Sequence, residues 1–273
     1  MLKIAFLNLG LFLSFYSLAQ KNPTKLFHTV NISSDTSLRI TEVTIEEWIC
    51  FIINNKFDSS LFPSENHLAK WPKRLFDDLK NGNDAKFIKI VKNQGLQKLD
   101  KGLYGIIISK SLNKMVKDDS SYFSKHNPIT GISFSQAILF CKWKEDLINA
   151  DQKIKIKISL PSIQLYERVL ENKDSMNLEK CYLQNSIKCN CPDLGKNKRF
   201  MPHDELVRAD AFWPNDLGLY CLQGNAAEMT TTQGIAMGGS FRHYALESFK
   251  DKRQIYTQPE EWLGFRYIVT LQQ

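Results

Sequence analysis

Six cysteines, Cys50, Cys141, Cys181, Cys189, Cys191 and Cys221, are the side chains in this chain best suited to redox, disulfide or soft-metal chemistry. Cys50 and Cys141 fall within segments of helical periodicity, which predicts buried free thiols. The other four lie in turn-rich sequence, where one or two disulfides are expected in an exported chain. Four such cysteines allow three full pairings, and spacing selects none of them. Cys189-Asn190-Cys191 is a C-x-C pair with no companion C-x-x-C or His-x₃-His, so it makes a poor metal motif. The remaining reactive types concentrate toward the C-terminus: Asp210, Glu228, and a run Arg242-His243-Tyr244 that follows Gly238-Gly239-Ser240-Phe241. Isolated glycines form neither a G-x-G-x-x-G nor a P-loop pattern, and no Ser, His, Asp order stands out as a triad.

Several elements must position these groups. Leu38 to Val43 alternates as a strand. Thr44 and Glu47 form a capping box, followed by an apolar stripe of Ile45, Trp48, Ile49, Ile52 and Ile53 that ends at Asn54-Asn55. Ser133 and Gln136 form a second box, with Phe134, Ala137, Ile138 and Cys141 as its stripe. Lys153 to Ile158 alternates strictly, predicting a strand that shows lysines to solvent and discourages edge pairing. Pro161-Ser162 then opens a helix carrying Leu165, Tyr166, Val169 and Leu170. Phe87 to Val91 and Leu103 to Ser109 read as further strands, and residues 172–209 as a long loop. From Asn215 onward, repeated glycines enforce tight turns.

The chain has 273 residues, 43% hydrophobic and 24% charged, enough to bury a full core. Residues 1–19 have the form of a signal peptide: Lys3, an apolar run, and Ser17-Leu18-Ala19 as a small-x-small cleavage site. Residues 20–273 are expected to form a single domain. Loss of Lys3 would take the formal net charge from +7 to +6. Lysines are dispersed rather than clustered with aromatics, which predicts a solvated basic exterior and no nucleic-acid partner. No later segment is long and apolar enough to predict a transmembrane helix.

Six segments in order resemble the formylglycine-generating enzyme (sulfatase-modifying factor) family. They are Thr41-Glu42-Val43-Thr44; Asn127 to Phe134 with Phe140-Cys141-Lys142-Trp143; Leu160-Pro161-Ser162 through Tyr166-Glu167; Leu217 to Tyr220 with Gly224-Asn225 and Glu228; Gly238 to Phe241; and Gly264-Phe265-Arg266. The resemblance implies an α+β fold related to C-type lectins, with little regular secondary structure and many packed turns. It also implies that two copper-binding cysteines should follow Gly-Gly-Ser-Phe. His243 and Ser248 stand at those positions. Soft Cu(I) needs thiolates, which a hydroxyl cannot replace. The expectation is therefore a non-catalytic protein without copper, whose old groove is lined by Arg242, His243, Tyr244 and Ser248.

The family's calcium sites map to Asp210 and Phe212, and to Cys221, Gly224, Ala226 and Glu228. Ca²⁺ prefers oxygen, so Cys221 weakens the second set. The resemblance further implies an exported binding or assembly module of a bacterial envelope, in the periplasm or at the cell surface. Its partner would be an envelope protein, a peptide or a glycan, with gliding motility or type IX secretion in Bacteroidota as a setting. Two alternatives stay open: a metal-dependent oxidase with an altered centre built on His243, and a lectin-like carbohydrate-binding module.

Overall fold

The computed structural model describes residues 28–56, 58–68, 126–150, 155–170, 205–212, 214–248 and 251–272. The proposed signal segment, the strands read at 87–91 and 103–109, and Cys181, Cys189 and Cys191 lie outside the described residues.

Both capping boxes form as the sequence dictates. Thr44 caps helix α1 (Ile45–Asn54), its hydroxyl accepting from Glu47 N while Glu47 Oε2 accepts from Thr44 N. Ser133 and Gln136 do the same for helix α3 (Phe134–Asn149); a single-turn helix α2 (Glu65–Leu68) precedes it. Asn55 ends α1, its side chain donating to Phe51 O. The whole stripe of α1 is buried. On α3 the buried face is Ala137, Phe140 and Cys141, whereas Ile138 is 41% exposed. Of the stripe read from the sequence, Ala137 and Cys141 are buried and Phe134 packs on the core; Ile138 alone turns outward, and Phe140 takes the inward place. The physical reason is the aromatic cluster: Phe140 stacks on Trp48 at 5.5 Å between centroids and meets Phe265 edge-on at 5.4 Å, which fixes which face of α3 turns inward.

Two small sheets flank this core. The first has strand order β1 (Thr29–Asn31), β2 (Thr36–Arg39), β8 (Ile268–Leu271), β3 (Ile156–Ser159), all antiparallel. The C-terminal strand β8 thus lies between an early and a middle strand. The strand expected over 38–43 is shorter and earlier because the chain leaves the sheet after Arg39: Ile40 N donates to His28 O, and Ile40 O accepts from Tyr220 N. On β3, Ile156 and Ile158 are buried and Lys157 is exposed, as alternation requires. The free edge of β3 is also covered by α3, since Asn149 Oδ1 accepts from Ile156 N and Glu145 Oε2 accepts from Ile158 N, both at 2.9 Å. These side chains remove the donors that would otherwise invite another strand.

Helix α4 (Ile163–Leu170) buries Leu165, Tyr166, Val169 and Leu170. The second sheet runs β6 (Gln254–Ile255), β5 (Ile235–Met237), β4 (Ala227–Met229), β7 (Leu263–Gly264), with β4 and β7 parallel. Helices and sheets are segregated around irregular connections, so the fold class is α+β as expected.

Candidate functional site

The loop after β5 starts with two left-handed glycines, Gly238 (φ +87°) and Gly239 (φ +67°). A methyl group at Gly238 would sit 2.6 Å from Leu222 O, and one at Gly239 would overlap the Ser248 hydroxyl. The Gly-Gly pair is therefore a steric requirement of the loop. Two glutamines clamp the loop. Gly239 N donates to Gln254 Oε1 at 3.1 Å, Gln254 Nε2 donates to Glu247 O at 2.6 Å, and Gln223 Nε2 donates to Ser248 O at 3.2 Å.

Ser240 organises the next three residues. Its hydroxyl accepts from Arg242 N at 3.1 Å and pairs with His243 Nδ1 at 2.7 Å, while His243 N donates to Ser240 O. The His243 ring stands edge-on to Trp262, 4.7 Å between centroids. Burial lowers the pKa of this imidazole, against the opposing pull of Glu247. Arg242 is ion-paired with Glu261 and lies over the Phe241 ring. Tyr244 is 53% exposed, and Ser248 has no accessible surface.

Arg242 and Trp262 border an open cleft of about 590 Å³, together with Ser64, His67, Gln258 and Glu260. One turn holds its walls: Gly131 (φ +71°) donates from its N to Glu260 O at 3.0 Å, and its carbonyl accepts from Ser64 N at 2.9 Å. Of the four residues read as a groove, Arg242 lines this cleft and His243 backs it by packing on Trp262. Tyr244 is exposed without lining it, and Ser248 points inward under Gly239. The contributions of Ser240, Trp262 and Glu260 were missed. Trp262 sits in the closing Trp-Leu-Gly-Phe-Arg segment, and its bulk beside two acids was the available signal.

The residues at 243 and 248 do not fit a copper centre of the thiolate kind. One is an imidazole already bonded to Ser240; the other is a hydroxyl packed away from it. Cys50, Cys141 and Cys221 are free, buried thiols, each pushed up in pKa by burial. A free Cys221 leaves at most one of the one or two bridges expected among the four loop cysteines; it occupies a left-handed turn (φ +47°) in the interior. Among the described residues, no group of three or more His, Cys, Asp or Glu side chains is placed to hold a metal ion.

The two carboxylates expected to bind calcium, Asp210 and Glu228, are each paired with an arginine. Both Asp210 oxygens are taken by Arg208, from Nε at 2.9 Å and Nη2 at 3.0 Å. Ala226 is buried beside Gly264. Glu228 is fully buried and both its oxygens are occupied: Arg266 donates from Nη2 to Oε1 and from Nε to Oε2, each at 2.6 Å, and the Tyr166 hydroxyl donates to Oε2. A guanidinium fills the place of a cation.

Arg266 completes its fork with backbone oxygens of Arg39, Ile40 and Tyr220, at 3.1, 3.1 and 2.9 Å. It therefore joins the connection between β2 and α1, the turn at 220 and strand β4. Beside it lies a second buried acid, Glu42. Asn225 Nδ2 donates to Glu42 Oε1 at 3.0 Å, while among the described residues Glu42 Oε2 has no partner. Burial and the neighbouring Glu228 outweigh Arg266 and raise the Glu42 pKa to about 8. At neutral pH this group is largely protonated.

The family described as "Sulfatase-modifying factor enzyme 1-like domain" matches residues 14–271. No curated protein matches the chain. Among solved structures, Treponema denticola variable protein 1 is similar at 14% identity and a TM-score of 0.50, over 88% of this chain and 90% of that one. That likeness is one of fold. CarF is similar at 17% identity and a TM-score of 0.40, over 56% of this chain and 71% of that one. PvdO from Pseudomonas aeruginosa is similar at 12% identity and a TM-score of 0.36, over 59% and 76%. No helix among the described residues is long and apolar enough to cross a membrane.

Proposed function

Given that the chain belongs to the sulfatase-modifying factor enzyme 1-like family, we propose that it is a non-catalytic binding module whose ligand enters the cleft between Arg242, Trp262 and Glu260. One observation carries this reading. The two positions where the family's chemistry asks for copper-binding thiolates hold a serine-bonded imidazole and a buried hydroxyl. A fold without its site chemistry keeps only its shape and its binding surface. The cleft beside that site has the volume of a ligand pocket.

The setting proposed with it is the one the family resemblance implies: an exported protein of a bacterial envelope, released from a signal segment at residues 1–19. It serves assembly there, with gliding motility or type IX secretion as the process. A peptide of a partner protein is the primary ligand class. A glycan is the second, favoured by the amide and carboxylate groups of Asn66, Gln258 and Glu260 beside the Trp262 ring. Such planar polar groups hydrogen-bond sugar hydroxyls readily.

The test is capture of partners from the native envelope by the mature protein and by its Trp262→Ala and Arg242→Glu variants. A partner bound by the parent and lost from both variants supports the reading. A partner held equally by all three contradicts it.

A further inference from the structure

The turn that leads into β7 carries two neighbouring acids, Glu260 and Glu261, and their partners differ. Glu261 is ion-paired with Arg242, whose guanidinium also lies over the Phe241 ring. That pair shapes one wall of the cleft. The side chain of Glu260 is met only by the Gln258 amide, Nε2 donating to Oε1 at 3.3 Å. Among the described residues no cation pairs with Glu260, histidine included.

The backbone holds this acid in place. Glu260 O accepts from Gly131 N at 3.0 Å and from Leu263 N at 3.3 Å, and Trp262 O accepts from Ala227 N of strand β4 at 2.9 Å. Glu260 and Trp262 therefore border the same cleft from a fixed turn. Trp262 packs on the core and is half-buried, so part of its ring stays open to the cleft.

A ligand seated here takes water away from the Glu260 carboxylate, and one amide donor does not replace that solvation. The cost falls on any neutral or acidic ligand. A ligand that brings a cation avoids it, gains a charge-assisted hydrogen bond and finds an aromatic ring beside the acid. The overall charge points the same way, since two acids line the cleft, Glu260 and Glu261, against one permanent cation, Arg242. His67 also lines it, with Nδ1 bonded to the Ser64 hydroxyl, and leaves that excess unchanged when neutral.

We propose, on the premise that the cleft is the binding site, that its occupant is a peptide segment presenting a lysine or arginine side chain. The cation is held by the Glu260 carboxylate, and the apolar stem of the side chain lies along the Trp262 ring. A neutral glycan would leave the carboxylate unmatched.

Titration of the mature protein at low salt and about pH 7.5, where an ordinary imidazole is largely neutral, tests the assignment. The probes are blocked glycine pentapeptides with a central lysine, norleucine or glutamate, and chitotriose. The readout is the indole N–H resonance that disappears in Trp262→Ala. The lysine peptide binds saturably and at least about fivefold more tightly than the norleucine peptide. The glutamate peptide binds more weakly than the norleucine peptide, and chitotriose more weakly than the lysine peptide. Glu260→Gln brings the lysine and norleucine peptides to within about twofold of each other. If that variant folds poorly, raising the salt on the parent protein narrows the same ratio. An undiminished lysine preference in Glu260→Gln, tighter binding of the glutamate peptide or of chitotriose, or no binding of any probe would each overturn the proposal. Equal binding of the lysine and norleucine peptides, lost in Trp262→Ala, would overturn the cation seat and leave the cleft as the binding site.

Discussion

The buried Glu228–Arg266 knot and the exposed loop at 240–248 belong to one frame but carry opposite kinds of information. In the knot every hydrogen-bonding group of Glu228 is directed at a donor, and Arg266 reaches three backbone oxygens on two segments. In the loop, Arg242 makes one surface ion pair, and His243 exchanges a bond with the serine three residues earlier. The first arrangement holds the fold; the second leaves side chains available to a ligand. Arg242 and Tyr244 in the loop are exposed, whereas Glu228 and Arg266 in the knot are fully buried and bonded to each other.

The sharpest way to break this comparison is Arg266→Leu. It leaves Glu228 as an uncompensated buried charge and should cost about 3–5 kcal/mol in urea unfolding. A loss below about 1 kcal/mol would show that the knot is not what joins the segments. Glu42 offers the next largest effect. Its folded pKa of about 8 is raised above the ordinary 4.5, so the folded state holds a proton that the unfolded state releases. The stability is complete below pH 4.5 and falls as pH rises toward 8, by up to about 1.4 kcal/mol per unit. Glu42→Gln should flatten that slope and raise Tm at pH 8. An unchanged slope would mean that Glu42 is not the titrating group.

Gly239→Ala comes third. It places a methyl group at φ +67° against Ser248 and should destabilise by about 1–3 kcal/mol, read from thermal unfolding. Arg242→Ala is the smallest, within about 0.5 kcal/mol for an exposed pair, and its effect should appear in ligand capture instead of stability.

Much of this frame was legible in the sequence because local rules decided it. The capping boxes at Thr44 and Ser133 and the stripe of α4 need only neighbours a few residues apart. The turns at Gly238 and Gly239 were readable for the same reason. One position of α3 was not, since Ile138 and Phe140 are both apolar and the choice between them was made by Trp48 and Phe265 on other elements. The knot was illegible for a stronger reason. Glu42 meets Asn225 across 183 positions, and Arg266 meets the backbone of Arg39 across 227. At the loop, sequence placed His243 and Ser248 side by side as lost ligands; only the fold separates them, one against Trp262 and one beneath Gly239.

The central claim is that this member of the family binds without oxidising. Mass spectrometry of a cysteine-containing sulfatase-motif peptide, incubated with the purified mature protein, copper and oxygen, tests it most directly. The peptide should keep its cysteine unaltered. Conversion of that cysteine to formylglycine, abolished by His243→Ala, would contradict the account.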